Sequence, residues 1–385
     1  MNTFAEANFI QISNTNMSKR YPVYMPELHG NEKKYVNDCL DSTWISSRGK
    51  YVSAFEESFA NYIGIDYATA VNNGTVAIHG ALLALGIGPG DEVIVPTLTY
   101  IASVNPVKYV GATPVFAECD KTYWQIDPED IKRKINSKTK AVIVVHLYGH
   151  PCPMDEIVKI CKQNKIFLIE DCAESLGSTY KGKHTGTFGD IAAFSFFGNK
   201  TITTGEGGMI VSKNKSTIEK AANFKNQGIS TEIQYWHDVI GYNYRMTNIC
   251  AAIGLAQLEH INPIIEQKTR VANTYKTLFE NSEIRIQPQH PDVFHVYWMC
   301  AFLLPININR DHMRAYLEEF GIESRPVFYP VHTMPMYLDD AKGMSFPNSD
   351  EISKRGINLP SYPALSNDDI TFIANKVLDF IKLHE

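Results

Sequence analysis

The sequence predicts an α/β protein, with a large α/β/α unit on a mostly parallel sheet followed by a smaller α+β unit. Three observations carry this expectation. From about residue 65, short runs rich in Val, Ile and Phe alternate with helix-like segments, the spacing of strand, crossover helix and strand. After Gly254 that alternation stops and a long helical stretch begins. The length of 385 residues suits two units and is enough to bury a substantial core.

The expected strands are Tyr67 to Val71, Glu92 to Pro96, Thr113 to Glu118, Ala141 to Leu147, Phe167 to Asp171, Ala192 to Phe196 and Gly208 to Ser212. Their near-continuous apolar character is that of strands covered on both faces. Between them, helices are expected at Thr75 to Leu85, Tyr100 to Val110, Met154 to Asn164 and Ser216 to Lys225. The second unit should hold a helix from Pro263 to Glu280, a strand-like run from Phe294 to Leu304, and helices at Arg310 to Phe320 and Asp368 to Leu383. This divides the chain into a polar arm (residues 1–20), a large unit (21–260) and a small unit (261–385).

The formal net charge is -6 and no run of Lys or Arg stands out, which argues against a nucleic-acid partner. A phosphorylated small molecule needs only a few local donors and stays compatible with that charge. Seven cysteines are scattered without a C-x-x-C pair, which suits a reducing, cytoplasmic setting. The first twenty residues lack the apolar core of a secretory signal. No stretch reaches the roughly 18 apolar residues of a membrane span.

In open α/β sheets, ligands sit beyond the carboxyl ends of the strands. After Val71 the chain reads Asn72-Asn73-Gly74-Thr75 and enters a helix. Free N–H groups and the helix dipole favour a phosphate there, although Thr75 could simply cap the helix. Tyr100 follows the next strand and could stack on a flat ring or merely start a helix. The strand Phe167 to Ile169 runs into Glu170 and Asp171, two acids that are costly in an apolar setting unless paired. The segment FSFFGNKTITTGEGGM, Phe194 to Met209, brings Ser195 and then Lys200 out of an apolar strand. Desolvation among aromatics lowers a lysine's pKa and favours the neutral, nucleophilic amine. An acid, a lysine and a phosphate cradle in this arrangement are the parts of a site for pyridoxal 5′-phosphate (PLP). Asp171 would face the pyridine nitrogen, and Ser195 would donate to the phosphate.

Two other signals are set aside. The GIGPG run, Gly86 to Gly90, follows a helix and precedes a strand, the reverse of a dinucleotide loop. His146 and His150 have no third ligand at sensible spacing, so no metal is expected.

The chain resembles the DegT/DnrJ/EryC1/StrS sugar aminotransferases, which are fold-type-I PLP enzymes, from about Tyr21 to its C-terminus. The resemblance rests on WISSRGKYV, NNGTVAIHGAL, GDEVIVPTLTYIAS, HLYGHPCPM, IEDCAES, the lysine segment and GYNYRMTNICAAIGLAQLE. It implies that Lys200 bonds the cofactor and moves protons, while Asp171 pairs with the ring nitrogen. It also implies that Gly74, Thr75 and Ser195 hold the phosphate and that Tyr100 stacks on the ring. Glu174 stands where many relatives carry Gln or His near the cofactor's hydroxyl. Asn243 resembles a residue that reaches the cofactor phosphate of a neighbouring subunit, which implies a homodimer with shared sites. The phrases STWISS, YWHDVIGYNYRMTNI and RPVFYPVHTMPMY resemble a subgroup that transfers an amino group from L-glutamate to C4 of GDP-4-keto-6-deoxy-D-mannose. A dTDP or UDP keto sugar is the alternative substrate. Arg325, Tyr329 and His332 are candidate substrate contacts, each equally readable as a structural residue. Relatives that act as PLP-dependent dehydratases carry His at the position of Lys200, and a regulatory role would call for an added DNA-binding domain.

Overall fold

The structure, a computed structural model, describes residues 19–384. The expected N-terminal arm lies outside the described residues except for Lys19 and Arg20.

Seven strands form the central sheet: β1 (Tyr67–Val71), β2 (Glu92–Pro96), β3 (Thr113–Ala117), β4 (Thr139–Val145), β5 (Phe167–Asp171), β6 (Ile191–Ser195) and β7 (Gly208–Ser212). Their spatial order is β1-β7-β6-β5-β4-β2-β3. All pairings are parallel except those of β7, which runs antiparallel to both β1 and β6. The reason lies in the connection. Parallel neighbours need a crossover, usually a helix, to return the chain to the same edge. Between Ser195 and Gly208 there is no helix, only a tight loop, so the chain can only turn back. That loop carries Lys200.

Helices cover the sheet. They are α1 (Glu32–Asp41), α2 (Lys50–Ile63), α3 (Gly74–Ala84), α4 (Asn105–Tyr109), α5 (Pro128–Lys134), α6 (Met154–Asn164), α7 (Lys215–Lys225) and α8 (Asn248–Glu259). The helix expected over Tyr100 to Val110 is instead a 3-10 turn, Ile101–Ser103, followed by α4. Pro106 has no N–H to give to the preceding turn, so one continuous helix cannot pass through it. The two helices α1 and α2 before the first strand, and the apolar α8, were not expected from the sequence. Small residues dominate α8 (Ala251, Ala252, Gly254, Ala256), and they let α1 and α2 pack close against it. A Cβ at Gly254 would lie 2.6 Å from Phe55.

The remaining helices are α9 (Ile261–Phe279), α10 (Arg310–Glu319), α11 (Pro347–Arg355) and α12 (Asn367–Lys382). They surround an antiparallel sheet of β8 (Arg285–Ile286), β9 (Cys300–Leu303), β10 (Arg325–Pro326) and β11 (Gly356–Leu359), in the order β8-β9-β11-β10. Tyr21, although early in the chain, packs into this second core and bridges to Ile322. The strand-like run Phe294 to Leu304 is broken at Tyr297, whose φ of 50° turns the backbone so that Trp298 faces the large sheet's edge. Two polar clips join the units. Glu118, just past β3, accepts the N–H groups of Asn348 and Ser349, and Thr97, just past β2, binds His332.

The large core includes an aromatic knot of Phe55, Phe59, Phe194 and Phe196. Phe59 meets Phe194 edge-on at 4.9 Å and Phe196 at 5.5 Å between centroids. Phe59→Ala would leave a cavity under β6, the strand that leads to Lys200. It should cost about 3–5 kcal/mol in urea unfolding, with cofactor affinity falling in parallel.

Candidate active site

The carboxyl ends of β1, β2, β5 and β6 lie along one edge of the sheet, and the candidate residues come from the loops just beyond them. At the end of β1, Asn73 caps α3. Its Oδ1 accepts the N–H of Val76 at 3.0 Å, and its carbonyl accepts the N–H of Ala77. Asn73, not Thr75, is therefore the cap. The first two N–H groups, on Gly74 and Thr75, have no intrahelical partner and remain for an anion. A Cβ on Gly74 would lie 2.7 Å from the Ser195 Cβ and 3.1 Å from its Oγ. Glycine therefore lets the Ser195 hydroxyl stand directly against the first turn of α3. These three residues form one concave donor set.

Asp171 ends β5 and is buried. Its Oδ2 accepts the Ser103 hydroxyl at 2.7 Å and its Oδ1 accepts the Ala173 N–H at 3.0 Å. Ser103 in turn bonds Thr99 at 3.0 Å. Burial raises the Asp171 pKa, while these donors and nearby Lys200 oppose the rise. In the sequence, the one sign of Ser103 is a hydroxyl four residues beyond Thr99 in the same connection.

Glu170 precedes Asp171 and points to the opposite face, as alternation along a strand requires. It is fully buried. Its Oε1 accepts the N–H groups of Phe188 and Gly189, and its Oε2 accepts that of Gly186. His146 Nε2 lies 3.1 Å from Oε2, and His146 Nδ1 accepts the Cys152 N–H. That acceptor role leaves the imidazole proton on Nε2, where it is donated to Glu170. His146, Glu170 and Cys172 are close enough together to suggest a metal. The imidazole and carboxylate are already engaged in protein hydrogen bonds, so the set reads as a scaffold for the Gly186–Gly189 turn.

Lys200 lies in the loop after β6. The loop is pinned on both sides: Tyr24 Oη donates to the Lys200 carbonyl at 2.6 Å, and Trp298 Nε1 donates to the Asn199 carbonyl at 2.7 Å. The ammonium nitrogen is 3.9 Å from Glu174 Oε1 and 3.8 Å from the centre of the Trp298 ring. Burial pushes the Lys200 pKa down, against the pull of Glu174 and Asp171. Glu174 is held through Oε2 by the Tyr148 N–H at 2.7 Å. Burial raises its pKa to about 7, opposed chiefly by the charge of Lys200. Tyr148, at a φ of 58°, occupies a conformation uncommon for a bulky residue. Its ring stacks with those of Trp298 and Phe328.

Tyr100 is 56% exposed on the open side, and its ring lies 5.6 Å from Phe328. His332 is a clip. Its N–H and Nδ1 both engage Thr97 Oγ1, and Nε2 lies 3.3 Å from Asp350. Arg325 pairs with Glu323, and the Tyr329 hydroxyl lies 3.4 Å from Arg310. Asn243 is exposed, with its side-chain oxygen held by Arg245, beside the segment that bonds the Asn72 N–H. Thus Gly74, Thr75 and Ser195 meet at one place, Asp171, Glu174 and Lys200 at another along the same sheet edge, His332 reaches that edge through Thr97, Arg325 and Tyr329 are engaged with Glu323 and Arg310, and Asn243 is exposed.

The residues fit PLP. Among the described residues, six buried polar atoms have no partner, and two of them, Asn72 Oδ1 and Asn199 Oδ1, belong to residues adjoining the Gly74 turn and Lys200. The donor set of Gly74, Thr75 and Ser195 suits a phosphate, Asp171 a protonated ring nitrogen, and Lys200 an aldehyde.

This fold and site define a PLP-dependent aminotransferase of fold type I. The chain belongs to the DegT/DnrJ/EryC1/StrS aminotransferase family, whose model matches residues 26–378. It is 57% identical over 362 residues to a protein of Escherichia coli O157:H7 named GDP-perosamine synthase, covering 94% of this chain and 99% of that one. The Vibrio cholerae protein of the same name is 50% identical, covering 93% and 98%. Among solved structures, the Helicobacter pylori aminotransferase PseC, involved in pseudoaminic acid biosynthesis, superposes with a TM-score of 0.89 at 25% identity, covering 95% of this chain and 100% of that one. Spr1654 of Streptococcus pneumoniae in its PLP form gives 0.90 at 26%, covering 95% and 100%.

Glu170→Gln should separate scaffold from chemistry. An amide has one acceptor oxygen and would turn its NH2 toward two or more N–H donors. Unfolding stability should fall by about 3 kcal/mol, while the absorbance of bound cofactor in the folded fraction keeps its wild-type position.

Proposed function

We propose that this protein transfers the amino group of L-glutamate to C4 of GDP-4-keto-6-deoxy-D-mannose, yielding GDP-perosamine and 2-oxoglutarate for a bacterial O-antigen or related polysaccharide. The observation that carries the sugar assignment is near full-length identity, at 57%, 50% and 45%, to three relatives named GDP-perosamine synthase. A dTDP or UDP keto sugar is the alternative, since a relative named for a UDP-sugar 3-aminotransferase is 35% identical.

Bound PLP supplies an aldehyde carbon that accepts the amino group and a protonated ring that draws electron density from the reacting carbon. The chain's own residues do the rest. The Gly74 and Thr75 N–H groups and the Ser195 hydroxyl hold the phosphate against the positive end of α3. Asp171 keeps the ring nitrogen protonated, and Ser103 keeps Asp171 aimed. Tyr100, exposed beside Phe328, would stack on the ring. Burial depresses the Lys200 pKa, so its ammonium gives up a proton more readily to become the nucleophilic amine. It takes the proton from Cα of glutamate in the first half of the reaction and delivers one to C4 of the sugar in the second. Glu174, titrating near neutrality, holds or releases a proton beside it. A lysine at position 200, rather than the histidine of dehydratase relatives, favours amino transfer over loss of a hydroxyl.

The active unit is read as a homodimer with shared sites. Asn243 faces outward, and nearby Ile233, Tyr235, Trp236 and Ile240 are exposed, with Tyr235 at 85% and Ile240 at 86%. Such an apolar surface is commonly covered by a partner. Arg325, Tyr329 and His332 remain candidate contacts for the sugar nucleotide, His332 through its clip to Thr97. The proposed division into a large unit (21–260) and a small unit (261–385) is supported by the break at His260 between α8 and α9. No helix among the described residues is long and apolar enough to cross a membrane. A cytoplasmic location is part of this reading, supported by cysteines that are all free.

Two tests follow. Lys200→Ala should bind PLP yet show no turnover, and Asp171→Asn should fold while losing activity by two orders of magnitude or more, in steady-state assays with glutamate and the GDP keto sugar. Separately, glutamate should discharge the yellow band of the PLP enzyme, and after glutamate is removed the band should return with the GDP keto sugar. Return only with a dTDP or UDP sugar would replace the nucleotide assignment. Persistence of the band with glutamate would replace the donor.

A further inference from the structure

Trp298 has no place in the chemistry above, yet its side chain is anchored beside Lys200. It is 3% exposed. Its indole N–H donates to the Asn199 carbonyl, one residue before Lys200, at 2.7 Å. Its own carbonyl accepts the ammonium of Lys268 at 3.0 Å. Lys268 is itself 1% exposed, also donates to the Ser361 carbonyl, and lies 4.9 Å from the Tyr24 ring. One face of the indole is backed by Tyr148, nearly parallel at 12°. The Lys200 nitrogen lies 3.8 Å from the indole centre, well inside the range in which a cation is attracted by an aromatic face.

We infer that Trp298 is a positioning residue whose indole face receives the Lys200 ammonium whenever that amine is not bonded to the cofactor. A transaminase frees its lysine when the amino donor binds and recaptures it only when the aminated product leaves. A free ammonium on a four-carbon chain has many rotamers. The indole face and Glu174 Oε1, 3.9 Å from the nitrogen, together define one parking place. The face attracts the cation without the full charge of a second carboxylate, so the amine can still lose its proton. The same ring anchors the loop through Asn199, so the parking place and the lysine move as one body. The inference rests on Lys200 being the residue released and recaptured, and it is independent of which sugar is aminated.

The charged and titratable groups near this place are Glu174, Asp171, Tyr148, Tyr24 and, on the Trp298 backbone carbonyl, Lys268. Only the indole is altered in the test. In cofactor-free enzyme, Lys200 is labelled competitively with acetic anhydride across a pH series and its modification is read by mass spectrometry of the Lys200 peptide. Removing the attraction in Trp298→Leu should lower the Lys200 pKa by about one unit. Trp298→Phe keeps a weaker aromatic face and should lower it by less, while losing the Asn199 anchor. The acidic limb of the glutamate half-reaction should shift to lower pH in the same order. Equal Lys200 titration in wild type and the folded Leu variant would overturn the inference. If the Leu variant does not fold, an unshifted Lys200 in the Phe variant would overturn it equally.

Discussion

The central constraint on this structure is the burial of one lysine and two acids at a single sheet edge. A cation and two carboxylates out of water cost several kcal/mol each unless neighbours compensate. Much of the surrounding architecture supplies that compensation. Asp171 has a hydroxyl and a backbone N–H, Glu174 has the Tyr148 N–H, and Lys200 has Glu174 and an indole face. The opposing pKa movements follow directly: burial raises both acids and lowers the lysine, and each charge partly restores the other. Glu174, raised to about 7, can therefore take up or release a proton near neutral pH beside Lys200, as proton transfer at carbon demands.

That arrangement depends on the second unit. Trp298 and Phe328 come from beyond α9, and they stack with Tyr148 of the first unit into one aromatic layer beside Lys200. Tyr148 holds a left-handed backbone conformation that a bulky residue avoids. The stacking, the bond from the Phe328 N–H to its hydroxyl and the bond from its own N–H to Glu174 together account for its persistence. The clips from Glu118 to α11 and from Thr97 to His332 fix the same junction from the other side of the sheet edge. The site is therefore assembled between units rather than within one.

Neighbouring residues on β5 show how position decides role. Glu170 and Asp171 are both buried acids one residue apart. Alternation sends Glu170 to the face where three backbone N–H groups of the Gly186–Gly189 turn and His146 absorb its charge. Asp171 goes to the face where only two donors meet it, leaving acceptor capacity for a ligand. The first acid builds the turn that leads into β6; the second is free for chemistry.

The sequence by itself determined the strands of the large sheet, because parallel strands buried on both faces are written as continuous apolar runs with loops at their ends. It also determined the candidates at those ends, since Asp171, Ser195 and Lys200 are polar residues at strand termini, where the chemistry of an α/β sheet is sited. Only the tertiary structure decided the rest. The reversal of β7 came from the absence of a crossover, and α8 forms where small residues allow close packing, not where an amphipathic stripe announces a helix, whereas α2 does carry such a stripe in Tyr51, Phe55, Phe59 and Ile63. Ser103 behind Asp171 and Trp298 beside Lys200 depend on contacts between residues 68 and 99 positions apart. Such contacts leave no local period in the chain, and burial, which sets the protonation of Lys200 and Glu174, exists only once both units have closed around them.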